Sequence, residues 1–405
     1  MPSTPGGARG PAPCRRSGAS TDGSTALELP AEVNATPSTL ERAAARNLVK
    51  SYLQVQPDEN VVVEAWTHTL SMSSAMVDEV RRAGGNAFLA YEDDDAWWRA
   101  VERHQTKALG RLSEPEWAAI AAADVYVQFW GPADSARLEK LGEKGLDEWG
   151  EGWFDRWYKL ARRTGLRGGR MATGWVTDSR VRAWGVNKQR WKTALLEACL
   201  ARPTEIVRNG ARLARALTGT KKVRITHANG TDLEVALAGV PARVYEGYPH
   251  PRDRAYSEYD LMAHLPEGRL RIALDAKTAE GRIVSNRRSY DEIWFPWATY
   301  SGEFEFSGGK LTSFSFEEGE ARFAENYARG TPGKDRTGSL VIGLNPHLPN
   351  VPFMEDKERG SVRLSVGRNT YAGGHNPSDF LGCLCVAGSE VSVDGTPVVR
   401  AGKIL

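Results

Sequence analysis

The sequence lacks several features that would assign it to a broad class. No apolar run approaches the roughly 18 residues of a membrane-spanning helix, so we expect no transmembrane segment. Lys and Arg number 53 against 51 Asp and Glu, and the formal charge of +2 gives no electrostatic case for binding nucleic acid or a membrane surface. Arg15 and Arg16 are followed by no apolar segment, so we expect no secretory signal peptide. We therefore expect neither nucleic acid nor a membrane as a partner.

Cysteine is also scarce. The four residues Cys14, Cys199, Cys383 and Cys385 form no CxxC pair and no disulfide framework, which is typical of a reducing cytoplasm. Cys383 and Cys385 are two residues apart on a predicted strand and therefore point to the same face. Two thiols so placed suit either a soft metal ion or a buried structural role, and the buried role is the more common one.

The composition that is present predicts two domains behind a tail. Residues 1–37 are rich in Pro, Gly, Ser, Thr and Ala and predict a disordered tail. Residues 38–220 alternate helical and strand patterns, which predicts a doubly wound α/β domain with a mostly parallel sheet. A strand is expected at Met171–Trp175. No GxGxxG follows the first strand, so a dinucleotide site is not supported. Residues 221–405 show short strands between Gly-rich turns, which predicts an α+β, β-rich antiparallel domain that carries the site.

The densest group of chemically useful side chains lies between Gly338 and Cys385. Apolar alternation predicts strands at Ser339–Gly343 and Ser361–Gly367. The loops between and after them hold residues that bind divalent cations or move protons: His347, Glu355, Asp356, Lys357, Tyr371, His375 and Asp379. This stretch is therefore the candidate site.

The same stretch carries a resemblance to a known family. Its segments, in order, are Leu344–Pro346, Glu355–Ser361, Ser365–Asn369 and Gly373–Ser378, with Asn229–Leu233 and Tyr290–Ile293 before them and Val393–Val398 after them. They resemble the thermophilic metallo-aminopeptidase (aminopeptidase T) family over roughly residues 38–405. The resemblance implies the two-domain fold, a divalent metal ion and a homodimer or higher homo-oligomer formed through the β-rich domain.

The metal site that the resemblance implies is largely replaced. Members of the family bind divalent ions through two Glu, two His, a Tyr and an Asp. Glu292 matches the first Glu, and Tyr371 matches the Tyr. The other positions fall on residues that are not metal ligands in the family: Ser339, Arg363, Leu381 and Cys383. With the surviving pair, His375, Asp379, His347 and Asp356 are candidate replacement ligands for Mn, Zn or Fe.

Glu292 is the strongest single candidate, because its segment Tyr290–Pro296 surrounds a carboxylate with aromatic residues. A carboxyl group in such a setting has a raised pKa and suits metal ligation or general acid–base catalysis. The predicted catalytic residues are Glu292, Tyr371 and Arg363. Arg363 and Arg288 are candidate clamps for a substrate carboxylate, and Trp294 is a candidate aromatic contact. Arg287 is an alternative clamp.

Three functions remain open at this stage. The first is metal-dependent hydrolysis of a C–N bond in a small amino-bearing substrate, such as an amino-aromatic acid, by metal-activated water. The second is a conventional aminopeptidase. The third is a catalytically inactive binding or assembly protein. Relatives of the fold that hydrolyse a nitro-substituted aminobenzoate favour the first, and relatives that open hydroxylated pyridine rings with iron leave oxygenase chemistry as a smaller alternative.

Overall fold

The computed structural model describes residues 36–104, 112–134, 137, 151–219, 221–250, 261–290 and 299–405. Asn34–Leu405 form one compact unit. Almost all of the predicted tail, residues 1–37, lies outside the described residues.

The first half of the chain builds a five-stranded parallel sheet. Its strands are β1 (Asn60–Trp66), β2 (Asn86–Glu92), β3 (Val125–Phe129), β4 (Arg167–Met171) and, from much later in the chain, β8 (Met262–Leu265). The strand order is β2-β1-β3-β4-β8, and every pairing is parallel. β3 is buried along its whole length, as expected of a strand that is covered on both faces. The parallel α/β sheet is thus confirmed.

The described helices that accompany this sheet have clear sequence signals at their ends. They are α1 (Thr39–Asn47), α2 (Leu70–Arg82), α3 (Asp94–His104), α4 (Glu114–Ala121), α5 (Arg156–Thr164), α6 (Asp178–Trp184), α7 (Lys188–Ala198) and α8 (Pro203–Leu217). Ser38 and Glu41 form a capping box at the start of α1. Gly165 ends α5 in the left-handed conformation with φ +79°.

One predicted strand is displaced. The strand expected at Met171–Trp175 is β4, which ends at Met171, and Ala172–Trp175 form a 3₁₀ turn. The sequence of β4 is RGGRM, and its two glycines hide the apolar pattern of a strand. They are required because a Cβ at Gly168 would lie 2.5 Å from the ring of Trp157, and one at Gly169 would lie 2.9 Å from Leu53.

The second half of the chain builds two antiparallel sheets, as predicted. The larger has nine strands: β5 (Lys222–Thr226), β6 (Asp232–Ala236), β10 (Glu280–Val284), β11 (Ser289–Tyr290), β12 (Thr299–Ser307), β13 (Lys310–Glu318), β17 (Glu390–Val393), β18 (Thr396–Arg400) and β19 (Lys403–Ile404). The helix α9 (Glu320–Arg329) follows β13. The smaller sheet, called the site sheet below, has the order β16-β15-β14-β9-β7. Its strands are β7 (Arg243–Tyr245), β9 (Arg269–Ala273), β14 (Thr337–Gly343), β15 (Val362–Gly367) and β16 (Leu381–Val386).

The two halves of the chain share elements. Strand β8 comes from beyond residue 220 but pairs with β4 in the parallel sheet, where Arg170 lies opposite His264. A single apolar cluster also contains residues from both halves, from Ala44 to Ile404. The division into residues 38–220 and 221–405 therefore stays a prediction. Among the described residues, no helix is long and apolar enough to cross a membrane.

Candidate functional site

The site sheet has one apolar face and one polar face, because successive side chains on a strand point to opposite sides. The buried apolar face carries Leu270, Ile272, Leu340, Ile342, Leu364 and Leu384. The residues between them line a cavity of about 620 Å³: Arg269, Arg271, Ser339, Val341, Arg363, Ser365, Leu381 and Cys383. A cavity of this volume is in the range that holds small-molecule ligands.

Positive charge dominates this main cavity. Six Arg or Lys side chains line it against four Asp or Glu side chains. The cations are Arg162, Arg269, Arg271, Lys357, Arg363 and Arg368, and the acids are Glu246, Glu267, Glu355 and Asp356. Aromatic side chains complete the wall, among them Trp175, Tyr245, Phe353 and Tyr371. The cavity is thus suited to a planar organic anion.

Two of the arginines are aligned across the sheet. Val341 pairs with Arg271 on one side and with Arg363 on the other, so that all three occupy one row. Neighbouring strands are roughly 4.8 Å apart, which places the two arginine backbones about 10 Å from each other. Side chains of that length converge readily over the valine between them.

Asp356 is the counter-ion that joins this row to Arg269. Its Oδ2 lies 3.0 Å from Nη1 of Arg269 and 3.3 Å from Nη1 of Arg363, and its side chain is 3% exposed. Burial alone raises the pKa of a carboxyl group, but Arg269, Arg363 and Lys357 outweigh it and hold the pKa of Asp356 well below its usual range. Asp356 is therefore an ionised partner of arginines, with no role left as a metal ligand at its Oδ2.

A second buried ion pair supports the same wall. Glu267 lies 3.4 Å from Nε of Arg269 and 3.4 Å from Nζ of Lys357. Lys357 also donates to the backbone carbonyls of His264 and Pro266, at 2.8 and 3.0 Å. Burial and the surrounding cations, Arg170 first, hold the pKa of His264 well below its usual value. The imidazole is therefore neutral at physiological pH.

A cluster of three hydroxyl groups lies beside Arg271. Tyr371 OH is 2.9 Å from Oγ of Ser339 and 3.2 Å from Oγ of Ser365, and the two serine oxygens are 3.0 Å apart. The guanidinium of Arg271 is 4.9 Å from the centre of the Tyr371 ring and 4.7 Å from that of Tyr245. Tyr245 OH accepts a hydrogen bond from Nη1 of Arg271 at 3.1 Å.

In the described part of this cavity, Nε of Arg271 and Nε of Arg368 are buried and have neither a hydrogen-bond partner nor an ion pair. Nε of Arg269 also lacks a hydrogen bond, but it lies 3.4 Å from Oε1 of Glu267. A buried guanidinium N–H without an acceptor costs free energy unless a ligand supplies one. The acceptor that matches a guanidinium edge is a carboxylate or a phosphate.

The predicted site residues divide into three groups. Arg363 and Tyr371 line the main cavity. His347, His375, Asp379 and Arg288 are exposed and do not line it. Asp379 accepts hydrogen bonds from the backbone N and the hydroxyl of Thr331, at 2.7 and 2.9 Å. Arg288 donates to the carbonyl of Trp184 at 3.3 Å. Glu292 and Trp294 lie outside the described residues.

The described positions at which the resemblance implies metal ligands lie together in the cavity, but their side chains do not fit a divalent cation. Ser339, Arg363, Leu381 and Cys383 all line it, together with Tyr371. Burial raises the pKa of the nearby Cys385 thiol, whose Sγ donates to the Glu355 carbonyl at 3.3 Å. Among the described residues, no three His, Cys, Asp or Glu side chains are grouped to hold a metal ion. A guanidinium in place of an imidazole repels a divalent cation.

Sequence analysis missed Arg271 and Arg368. Arg271 lies in the segment RLRIA, where two arginines alternate with apolar residues on a predicted strand. That alternation indicates two cations on the face opposite the core. Arg368 directly follows Gly367 in Ser365–Asn369, a segment whose only signal is the family resemblance. The pairing of β9 with β14, which brings Arg271 opposite Val341 across 70 residues of sequence, has no local signal.

The parallel sheet, the two antiparallel sheets and the cavity on the site sheet define an α/β protein with a β-rich half. Two solved enzyme structures have this fold. AmpT from Thermus thermophilus is 16% identical, with a TM-score of 0.65, over 90% of this chain and 99% of that one. The 2,5-dihydroxypyridine dioxygenase of Pseudomonas putida KT2440 is 15% identical, with a TM-score of 0.55, over 90% and 96% of the two chains. No protein-family model matches the sequence, and no curated protein matches it significantly.

Replacing Asp356 tests the ion-pair network. We expect Asp356→Asn to lower the free energy of unfolding at pH 7 by about 3–5 kcal/mol, because two buried guanidinium groups lose their shared counter-ion. The pKa of Asp356 is lower in the folded state than in the unfolded state, so its stabilisation is complete above about pH 4 and is lost as the pH falls further. The difference between the variant and the wild type should therefore shrink in acid. Chemical denaturation at pH 7 and pH 3 measures both effects.

The matched control is Asp78→Asn, because Asp78 forms an exposed ion pair with Arg42 at 3.7 Å. Exposed pairs contribute roughly 0–1 kcal/mol. Equal stability of Asp356→Asn and the wild type at pH 7 would show that Asp356 does not hold the arginines.

Proposed function

We propose that this chain binds a small aromatic carboxylic acid in the main cavity and hydrolyses a C–N bond at its amino group. The observation that carries the proposal is the pair of buried, unpartnered Nε atoms of Arg271 and Arg368 in a cavity with excess positive charge. A carboxylate supplies the acceptors that these groups lack, and a guanidinium binds it in a planar, charge-assisted geometry.

Arg363 has a different role in this proposal from the one that the sequence predicts. Its Nη1 is already held by Asp356, which it shares with Arg269. We infer that Arg363 adds positive charge to the floor of the cavity, and that Arg271 and Arg368 form the direct carboxylate contacts. The Tyr245, Tyr371 and Phe353 side chains in the wall support an aromatic body.

The proposed reaction replaces an amino group by a hydroxyl group, with water as the second substrate and ammonia as the second product. Its support is the fold shared with AmpT, whose name places it in the aminopeptidase family described above. The described cavity residues do not fit a divalent cation, so the proposal leaves out the metal-dependent form with Mn, Zn or Fe, which the resemblance implies through Glu292. A conventional aminopeptidase has less support, because a cavity rich in arginine suits an acid better than the free amino terminus of a peptide.

The second candidate is a binding protein without catalysis. The specific observation in its favour is that Ser339, Arg363, Leu381 and Cys383 replace ligands at the positions where the resemblance implies a metal site. Such a protein would retain the acid-binding cavity and release the acid unchanged.

Arginine substitutions test the carboxylate site. We expect 4-aminobenzoate to bind the wild type saturably and to bind Arg271→Gln or Arg368→Gln roughly 10- to 100-fold more weakly, since each variant removes a charge-assisted hydrogen bond. Aniline, which lacks the carboxylate, should bind weakly to all three proteins. Calorimetric titration gives the affinities. Arg359→Gln is the control, because Arg359 is exposed and outside the cavity. An equal loss in Arg359→Gln, or no loss in either cavity variant, would contradict the assignment.

Turnover assays separate the candidate functions. We expect the wild-type protein to release ammonia from an aminobenzoate both after chelator treatment and with Mn, Zn or Fe(II) supplied, and Glu292→Ala to lose that activity. Aminoacyl amides should not be cleaved. Cleavage of those amides would favour the aminopeptidase, and binding of the acid without any release of ammonia would favour the binding protein.

A further inference from the structure

A second, smaller cavity lies on one face of strands β1, β2 and β3 and extends to their carboxyl ends, outside the main cavity. Its volume is about 90 Å³, and we call it the aromatic cavity. Its wall includes Trp66 at the end of β1, Trp97 on α3, Trp153 and Phe154 before α5, and Tyr126 on β3. Open α/β sheets bind ligands at this edge, near the point where the strand order reverses. Here that point lies between β1 and β3.

The aromatic rings that line this space contact one another. Trp66 and Trp97 form an edge-to-face pair with centroids 5.8 Å apart, and Trp153 and Phe154 form another at 4.8 Å. Tyr126 lies 6.1 Å from Trp153. Several aromatic rings grouped around one small space favour binding of an organic cation, because their quadrupoles attract positive charge.

Carboxylates supply the negative charge of the same enclosure. Glu64 accepts hydrogen bonds from Nε1 of Trp66, at 2.9 Å, and from the hydroxyl of Tyr126. Glu92, at the end of β2, and Glu116, on α4, also line the cavity. Both side chains that donate to Glu64 belong to the wall of the cavity. The carboxylate therefore holds these two rings in place and adds negative charge to the wall.

Arg170 attracts Glu64, but the described ion pairs do not include one between them. The Nε of Arg170 donates to Gln128 at 2.9 Å, and its Nη1 lies 3.2 Å from Nε2 of His264. Its guanidinium lies 4.4 Å from the ring centre of Trp130 and 4.9 Å from that of Phe154. Phe154 lines the aromatic cavity, and its ring already contacts one cation of the chain, Arg170.

The acid–base behaviour of the carboxylates agrees with this excess of negative charge. Burial raises the pKa of Glu64 to about 7, against the hydrogen bonds from Tyr126 and Trp66 and the attraction of Arg170, and Glu92 raises it further. Burial, followed by repulsion from Glu116, Asp93 and Asp94, raises the pKa of Glu92 to about 7. A bound cation would favour the ionised form of both groups.

We propose that the aromatic cavity binds a small organic cation with a methylated ammonium head. The rings provide cation–π attraction, and Glu64, Glu92 and Glu116 provide the counter-charge. The same three carboxylates repel the aromatic acid proposed for the main cavity. Small inorganic cations are disfavoured, because the rings cannot replace the oxygen ligands that such ions require. This inference does not depend on the function proposed for the main cavity.

Choline and its neutral isostere 3,3-dimethylbutan-1-ol test the proposal. The two probes have nearly the same shape, and only choline carries a charge. We expect choline to bind the wild-type chain saturably, with a change in tryptophan fluorescence, and the neutral isostere to bind at least about tenfold more weakly. Choline affinity should rise between pH 6 and pH 8, as Glu64 and Glu92 ionise. Sodium chloride at matched ionic strength should not reproduce the fluorescence change.

Two variants locate the binding. Glu92→Gln removes a charge and preserves the shape of the side chain, and Trp97→Leu removes a ring. Each should weaken choline binding at least about tenfold. Glu114→Gln is the matched control, because Glu114 is exposed on α4 and pairs with Arg156 outside the cavity. Thermal unfolding of each variant shows whether it is folded, and Glu92→Gln remains decisive if Trp97→Leu is not.

Three results would overturn the proposal. They are the absence of saturable choline binding to the wild type, equal affinity for the neutral isostere, and an equal loss of affinity in Glu114→Gln and Glu92→Gln. Equal affinity for the isostere would show an apolar pocket that does not select charge.

Discussion

The candidate site depends on the ion pairs that the buried carboxylate of Asp356 forms with two arginines. Arg269, Arg271 and Arg363 come from neighbouring positions of one sheet face, where unpaired guanidinium groups would repel one another. Asp356 forms ion pairs with Arg269 and Arg363, and these two cations keep its carboxyl group ionised. Glu267 is likewise a shared counter-ion, for Arg269 and Lys357. Among the described residues, Arg271 and Arg368 line the cavity without an ion pair, and the Nε of each is a buried donor without an acceptor.

The fold that this chain shares with AmpT does not by itself decide what the cavity binds. The site sheet supplies a fixed set of positions that face the cavity, and the residues at these positions decide what binds there. Ser339, Ser365 and Tyr371 bond to one another, and Arg363 bonds to Asp356. Each of these groups already has a partner within the chain. A divalent ion would have to displace those bonds and approach the arginines as well.

Sequence reasoning succeeded where a local pattern decides the structure. The apolar alternation of β14 and β15 gave both strands to within two residues. Arg363 and Tyr371, to which the resemblance pointed, line the cavity, and their roles stay predictions. Sequence reasoning could not tell that His347 and His375 are exposed while Arg363 lines the cavity, because all three lie in the same stretch of sequence. Loop histidines carry no periodic signal for the direction in which they point.

The groups that were missed depend on long-range pairing. Arg271 reaches the cavity through the pairing of β9 with β14, and His264 reaches it because β8 returns to the parallel sheet beside β4. Neither pairing is encoded within a window of neighbouring residues. The aromatic cavity was equally hidden, because Glu64, Glu92 and Trp153 meet only when β1, β2 and the chain before α5 are assembled.

Binding of 4-aminobenzoate to chelator-treated protein, measured by calorimetry before and after a divalent ion is added, tests the central claim most directly. If arginines hold the carboxylate, binding is saturable without metal and its affinity is unchanged when Mn, Zn or Fe(II) is supplied. Binding that requires the added ion would contradict the account, because it would show that a metal, and not Arg271 and Arg368, recognises the acid.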